Sequence, residues 1–235
     1  MQNCERHLQE LTSIYDCLNH RIMHQLIELA AVVASAVYGG LRARRHNMDF
    51  VGVFCLAFVV AFGGGTLRDL CLDRHPLFWI QEHYYPMVVF AIALLISVAA
   101  RVPRRLETLL SVPDALGLGL FSIAGTNAAL EAGTSFFIAS LLGTVTGTFG
   151  GVIADVICNR VPSLFRPAPL FATCAFAGSW VFIVLSLWPE TSRYAAPGGI
   201  AVTVVFRLAA IYYGWFLPHV GAEGAGEDTD NRMAG

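Results

Sequence analysis

A run of glycines followed by an aspartate occurs twice in this chain, each time inside or at the end of an apolar stretch. The first copy reads GGGTLRD and ends at Asp69, and the second reads GGVIAD and ends at Asp155. Asp69 lies four residues after Gly65, and Asp155 lies four residues after Gly151. Each carboxylate therefore falls about one helical turn beyond its glycines, on the same helix face. An ionisable group is costly in a membrane and usually functional there, and carboxylate and carbonyl oxygens together suit a cation.

The glycines allow two interpretations. Glycine loosens a helix, so these positions are expected to kink or break their helices and to turn free carbonyls toward a polar cavity. The alternative, which the glycines alone would favour, is close helix packing through small residues. Because an acid recurs beside the glycines in both copies, we expect a transport site rather than helix ends compensated by Arg74 and Arg160. The glycines concerned are Gly63, Gly64, Gly65, Gly150 and Gly151.

The two motifs belong to a longer internal repeat with a constant offset of 86 residues, the distance from Gly64 to Gly150. The same offset pairs Glu28 with Asp114, so that roughly fifty residues align without an insertion. Paired Gly-interrupted segments in matching positions of two halves are typical of membrane transport proteins, whose site lies between the halves.

Further charged residues accompany the motifs. Arg68 has the uncharged Ala154 as its repeat counterpart, and we hypothesise that its guanidinium crosses toward Asp155 and occupies part of a pore. Glu28 and Asp114 each lie near the start of a predicted span. They are either acids at the pore mouth that concentrate cations or, more simply, interfacial acids favoured by the helix dipole.

Polar residues in the later spans are also ambiguous. Ser122, Thr126 and Asn127 recur at near-helical spacing and suit either a pore wall or hydrogen bonds between helices. Arg207 has no repeat partner, and it either snorkels to a lipid or subunit contact or pairs with an acid inside the bundle.

The composition is that of an integral membrane protein. Apolar residues make up 56% of the chain and charged residues 14%, with a mean hydropathy of +0.60. All fifteen basic residues are arginine and the net charge is −2, so nothing indicates a nucleic-acid partner. The sequence carries no Walker A, TVGYG, Gx[ST]xG or HExxH motif, so we expect no enzyme, no cofactor and no structural metal. An aspartyl chemistry at Asp69 and Asp155 would lack further catalytic groups.

The predicted fold is an all-α integral membrane protein with seven transmembrane helices. Windows of about twenty residues, enough to cross the hydrocarbon core, give the following spans. They are residues 22–42, 50–72, 84–101, 113–130, 136–158, 169–188 and 196–217. Three helices per repeat is an odd number, so the second copy must be inverted in the membrane. The architecture is an inverted 3+3 repeat plus one helix, with the second and fifth helices broken at their glycines.

The domain organisation follows from these spans. The first repeat covers residues 22–101, the second covers 113–188, and the seventh helix covers 196–217. Residues 1–21 have apolar side chains at helical spacing and form either an amphipathic helix at the interface or a helical extension of the first span. Residues 218–235 are rich in glycine, alanine and acids and are expected to be disordered.

Arginine bias in the short loops predicts the orientation. The side with more arginine, expected to be cytoplasmic, has eight and the other side has four, which places the N-terminus outside and the C-terminus inside. The eight are Arg42, Arg44, Arg45, Arg101, Arg104, Arg105, Arg160 and Arg166, and the four are Arg6, Arg21, Arg74 and Arg193.

The two glycine–aspartate motifs, each with a proline seven residues after its aspartate (Pro76 and Pro162), lie within a 3+3+1 frame. This combination resembles the trimeric intracellular cation (TRIC) channels, and more closely their bacterial relatives, sometimes called glycine transporters. The resemblance covers about residues 20–217. It implies a homotrimer in a bacterial inner membrane, in which every subunit has its own pore for monovalent cations, chiefly potassium.

Carried onto this chain, the resemblance implies kinks at the motif glycines and places Arg68, Asp69 and Asp155 in or beside the pore. Permeant K⁺ or Na⁺ would pass near the two aspartates, and membrane lipids would be the other partners. The animal members hold a phosphoinositide head group with a lysine motif on the fourth helix. Because this chain has no lysine, the resemblance does not extend to phosphoinositide regulation.

Two functions remain compatible with the sequence. A passive cation channel needs a continuous hydrated path. A secondary transporter of glycine or another small amino acid needs a closed site that captures a carboxylate, for which Arg68 is the candidate. Inverted repeats with broken helices serve both.

Overall fold

The structure, a computed structural model, describes residues 2–99, 106–165 and 169–216, with side chains for residues 23–99, 110–165 and 169–216. Over these ranges it consists of α-helices and one 3-10 turn at Ser163–Phe165, with no strand. The helices are α1 (Gln2–Arg45), α2 (Phe50–Cys71), α3 (Phe78–Gln81), α4 (Tyr84–Val98), α5 (Leu106–Glu131), α6 (Phe136–Ile157), α7 (Ala172–Ser186), α8 (Pro189–Ser192) and α9 (Ala195–Tyr213).

Seven of the helices in the described ranges have 15 residues or more, and each coincides with one predicted span. The prediction of an all-α membrane protein is confirmed. Within the described residues, four helical segments are long and apolar enough to cross a membrane by length and composition, and α4 and α7 are shorter apolar helices. The four are Met23–Arg45, Phe50–Cys71, Phe136–Ile157 and Ala195–Tyr213.

The first helix begins well before the predicted span. α1 is continuous from Gln2 to Arg45, so most of the predicted interfacial segment 1–21 is helical backbone joined directly to the first span. The side chains of residues 1–22 lie outside the described residues, and so does the tail 218–235.

The second helices of the two repeats begin and end at repeat-related positions. Asp49 caps α2 by accepting a hydrogen bond from the backbone nitrogen of Gly52, and Ser135, 86 residues later, caps α6 in the same way. Just beyond the two helices, Asp73 and Asn159 have φ angles of 51° and 52°, left-handed conformations that stop a helix. The repeat read from the glycines therefore extends to the caps of the helices that carry them.

The packing also follows the repeat. In the first half, α4 packs on both α1 and α2, which pack on each other, and α5, α6 and α7 make the same three contacts in the second half. The halves meet through α1 on α5 and α2 on α6, while α9 packs on α5 and α7. The second helices of the two repeats thus lie directly against each other.

The predicted glycine breaks are absent: α2 and α6 are helical without interruption through their glycines. A methyl group on Gly64 would overlap the carbonyl oxygen of Thr146, and one on Gly150 would overlap that of Val60. The glycines therefore let two helix backbones approach more closely than any side chain would allow. The alternative interpretation, close packing through small residues, describes them. In the low-polarity interior an unbroken helix also satisfies its own backbone hydrogen bonds.

Candidate functional site

Two polar cavities lie at opposite ends of the interface between the halves. The first, which we call the Arg68 cavity, has a volume of about 470 Å³ and includes Glu28 of α1. The second, the Arg207 cavity, has a volume of about 400 Å³ and includes Arg42 of α1. Glu28 and Arg42 are fourteen residues apart on one continuous helix, which places them roughly 21 Å apart at 1.5 Å per residue. The two aspartate motifs therefore do not converge at the centre.

The Arg68 cavity holds a buried arginine between two acids. Arg68 is 2% exposed. Its Nε donates to Asp69 Oδ1 at 2.8 Å, and its Nη1 donates to Glu28 Oε1 at 3.3 Å. The other oxygen of Asp69 accepts from the backbone nitrogen of Phe78 at 2.9 Å, so the acid also fastens the segment that follows α2. One guanidinium thus neutralises two carboxylates incompletely and leaves an excess negative charge.

The Arg207 cavity holds two acids with an arginine each. Arg42 donates to Asp155 Oδ1 and, at 3.0 Å, to the hydroxyl of Tyr38. The second oxygen of Asp155 accepts from the backbone nitrogen of Ser163 at 2.8 Å, the counterpart of the bond between Asp69 and the segment after α2. Each motif aspartate therefore holds the chain that follows its own helix.

Arg207 reaches Asp114 from α9. Its Nη2 lies 3.2 Å from Asp114 Oδ2, which selects the pairing with a bundle acid over the lipid-facing alternative. At the mouth of this cavity, burial and the nearby Arg160, Arg42 and Arg45 lower the pKa of His46 below its ordinary value. The surroundings therefore disfavour a positive charge on His46.

The hypothesis that Arg68 crosses toward Asp155 is wrong. The arginine bonds the acid beside it and Glu28 of α1, while Asp155 is bonded by Arg42. Because the two aspartates lie at opposite ends of the bundle, no single side chain can bridge them. The repeat-related acids do come together in pairs, Glu28 with Asp69 and Asp114 with Asp155, one pair in each cavity.

The polar residues predicted along the fourth span lie elsewhere. Thr126 donates to Ser122 O at 2.8 Å and lies 2.9 Å from the hydroxyl of Ser179 on α7, so it hydrogen-bonds between helices. Ser122 donates to its own helix at Leu118 O. Neither lines one of the two polar cavities, and Asn127 donates to Glu131 at 2.8 Å. The interpretation as interhelical hydrogen bonding describes Thr126.

A very small cavity lies between the two polar ones, against the motif glycines. Its volume is about 20 Å³, and it shares Tyr38 and Asp114 with the Arg207 cavity. Gly150 and Gly151 line it together with Phe121 and Phe171. The space between the two polar cavities is thus narrow at its centre, where phenylalanine rings form part of its lining.

The site residues missed by reasoning from sequence include Arg42, Phe78 and Phe171. Arg42 was counted only as an orientation signal, although its position at the end of an apolar span was itself a sign of a buried partner. The two phenylalanines gave no signal, since 86 residues after Phe78 the chain has Leu164.

Comparison with known proteins places these features in a family. A family model described as "Glycine transporter" matches residues 25–101 and 111–186, which coincide with the two repeats. The UPF0126 inner membrane protein YadS of Escherichia coli K12 is 36% identical over 82% of this chain and 93% of its own length.

Two solved structures share the fold. The TRIC channel orthologue of Rhodobacter sphaeroides is 32% identical, covers 82% of this chain and 99% of its own, and superposes with a TM-score of 0.77. A structure described as the basis for conductance through TRIC cation channels is 29% identical, covers 86% of this chain and 98% of its own, and has a TM-score of 0.76.

Proposed function

This chain, which the glycine transporter model matches, belongs to the bacterial branch of the TRIC channel family, and we propose that it is a cation channel with a pore in each subunit. The observation that carries the proposal is the pair of polar cavities at opposite ends of one interface, with a small cavity at the motif glycines between them. Each polar cavity contains one acid of each repeat-related pair: Glu28 and Asp69 line the Arg68 cavity, and their counterparts Asp114 and Asp155 line the Arg207 cavity. A path for ions through one subunit would follow this line.

The charges of the Arg68 cavity support cation selectivity. Among the described residues, four acids and two arginines line this cavity, and one arginine serves both of the buried acids. A negative excess in a confined polar space attracts cations and repels anions. In the Arg207 cavity, by contrast, each buried acid has its own arginine. We therefore assign selection of the ion to the Arg68 cavity.

The finer features of the proposal come from the family resemblance, except the orientation, which comes from the arginine bias of the loops. The permeant ion is chiefly K⁺, three copies of the chain assemble as a homotrimer, and the protein lies in the inner membrane with its N-terminus outside. All seven long helices cross the membrane in this arrangement, α4 and α7 included. Because each subunit has its own pore, the ion path lies within one subunit and not along the threefold axis of the trimer.

The alternative function, transport of a small amino acid, has less support at Arg68, the residue proposed to bind the carboxylate of the substrate. Arg68 already bonds two carboxylates, and a bound amino acid would have to displace one of them. The central cavity, at about 20 Å³, has room for about one water and not for glycine.

Planar bilayers containing the purified protein test the proposal. In asymmetric KCl we expect single-channel steps whose current reverses near the potassium equilibrium potential, and protein-free bilayers serve as the control. Reversal at the chloride equilibrium potential would contradict cation selectivity. Glycine uptake in a fixed ratio to a coupling ion, without single-channel steps, would establish the transporter instead.

A pair of variants tests where selection occurs. Glu82 lines the Arg68 cavity and accepts a hydrogen bond from Gln25 at 3.3 Å, whereas Glu190 is an exposed acid on α8 outside that cavity. Glu82→Gln should lower the permeability ratio of K⁺ to Cl⁻, and the matched Glu190→Gln should leave it unchanged. Equal ratios in both variants would remove the Arg68 cavity as the selecting site.

A further inference from the structure

Phe78 closes the inner end of the Arg68 cavity. It is the first residue of α3, lines the cavity and is 7% exposed. Its ring packs on Gly65, where an added methyl group would overlap the ring. The guanidinium carbon of Arg68 lies 5.2 Å from the ring centre, and Asp69 holds the backbone nitrogen of Phe78. Three residues of the first motif therefore position the ring of Phe78: Gly65, Arg68 and Asp69.

The ring of Phe78 stands between its cavity and the central one. Phe121 lines the central cavity, and its ring lies edge-on to that of Phe78 with the centroids 6.5 Å apart. Phe62 and Tyr85 pack on Phe78 from the sides, at 5.8 and 5.9 Å between ring centres. Aromatic carbon therefore surrounds Phe78 at this level.

Phe171 occupies the corresponding place in the second half. It precedes α7, is 8% exposed and lines the central cavity, and a methyl group on Gly151 would touch its ring at 3.6 Å. The guanidinium carbon of Arg207 lies 4.6 Å from the ring centre. Arg207 also donates to the carbonyl oxygens of Pro169 and Leu170, at 2.9 and 2.8 Å, and so fixes the segment that leads into Phe171.

The two arrangements are alike in space but not in sequence. In each, the last motif glycine contacts a phenylalanine from the connection to the third helix of the repeat, and an arginine paired with an acid lies over the ring. Arg68 comes from the motif itself, whereas Arg207 comes from the seventh helix, outside the repeat. Residues that are not related by the repeat thus hold a phenylalanine ring at the same position in both halves, which indicates that the ring has a function.

We propose that Phe78 and Phe171 are two barriers to permeation in series, one on each side of the central cavity. The inference rests on the proposed function, because it assumes that cations follow this line. Apolar rings at a constriction expel water and thereby stop ions, and a central cavity of about 20 Å³ holds about one water. Passage of a hydrated cation therefore requires both rings to move aside. The contacts of Arg68 and Arg207 set how firmly each ring stays in place.

Alanine substitutions at the two rings, alone and together, test the proposal. For two equal barriers in series the resistances add, so either Phe78→Ala or Phe171→Ala should raise the time-averaged K⁺ current per channel by about twofold at most. The double variant removes both barriers and should raise the current by on the order of tenfold. Phe137→Ala is the matched control, because Phe137 is 55% exposed and lines none of the three cavities on this path.

The outcomes separate this inference from the proposed function. If the wild type conducts cations and the double variant, eluting as the same oligomer, carries the same current, the barriers are wrong and the channel stands. If neither conducts, both fail. If the wild type is silent and the double variant conducts, both are supported. Should the alanine variants not assemble, the glutamine variants, which fill more of the space but are polar and retain water, must show the same order of currents for the proposal to hold.

Discussion

Arg68 and Arg42 each neutralise a motif aspartate, yet they come from different helices and are not related by the repeat. Arg68 lies next to its acid in α2, and Arg42 reaches Asp155 from α1 across the boundary between the halves. The acids were predictable, because both recur with their glycines at a fixed offset. Their partners were not, because the rotation of one helix against another decides which side chains meet, and no spacing in the sequence encodes that rotation.

Double-mutant cycles on stability distinguish the observed pairing from the one expected at first. Arg42→Ala and Asp155→Ala remove two partners of one buried pair, so their effects should be non-additive by about 1–3 kcal/mol. Arg68→Ala and Asp155→Ala act at opposite ends of the bundle, so their effects should add within about 0.5 kcal/mol. The free energy of unfolding of the detergent-solubilised protein is the measurement. Coupling in the second cycle and none in the first would contradict the geometry.

At the scale of the element, α2 and α6 owe their close contact to the motif glycines. The sequence pattern correctly indicated that these glycines matter, but it did not show their role. A glycine permits both a broken helix and the close approach of two helices. The choice depends on what lies opposite. Here Gly64 faces a carbonyl of α6 and Gly150 faces a carbonyl of α2, which only the assembled bundle determines.

Alanine at two motif glycines separates packing from bending. A methyl group on Gly64 would overlap the backbone of α6, which cannot move without separating the helices, so Gly64→Ala should destabilise the protein by about 1–3 kcal/mol. At Gly151 the nearest atom is a ring carbon of Phe171 at ordinary contact distance, 3.6 Å, so Gly151→Ala should be nearly neutral. The melting temperatures of the two variants, measured in the same detergent, compare the effects. A similar loss at both positions would favour a helix-bending role that depends on the number of glycines.

For the whole molecule, the internal repeat carried most of the prediction. An offset found at a few residues predicted two halves of three helices each, because duplicated sequences fold into duplicated elements, and the structure extends the correspondence to the caps of α2 and α6. It failed where the halves differ. The connections to the third helices differ in length, so that Phe78 and Phe171 occupy like positions without aligning, and Arg207 lies on the helix that has no counterpart.

The orientation of the protein in the membrane is predicted from its loop arginines, and the structure shows at which end of the bundle several of them lie. Four loop arginines lie at the ends that the loop bias requires: Arg42, Arg45 and Arg160 line the Arg207 cavity, while Arg74 lines the Arg68 cavity. Positively charged loops are retained in the cytoplasm, so the end with the Arg207 cavity should face inward and the first half should begin outside.

A reporter active in only one compartment, fused after Gly235, tests this orientation. We expect cytoplasmic activity, and a second fusion at the N-terminus should report the opposite compartment if seven helices cross. Because the two ends of the bundle carry different charge patterns, the result also decides which side an ion meets first. A C-terminus outside with an N-terminus inside would reverse the assignment, and both termini on one side would mean that an even number of helices crosses the membrane. In the predicted orientation, the Arg68 cavity, to which we assign ion selection, opens to the periplasm. In the reversed orientation it opens to the cytoplasm.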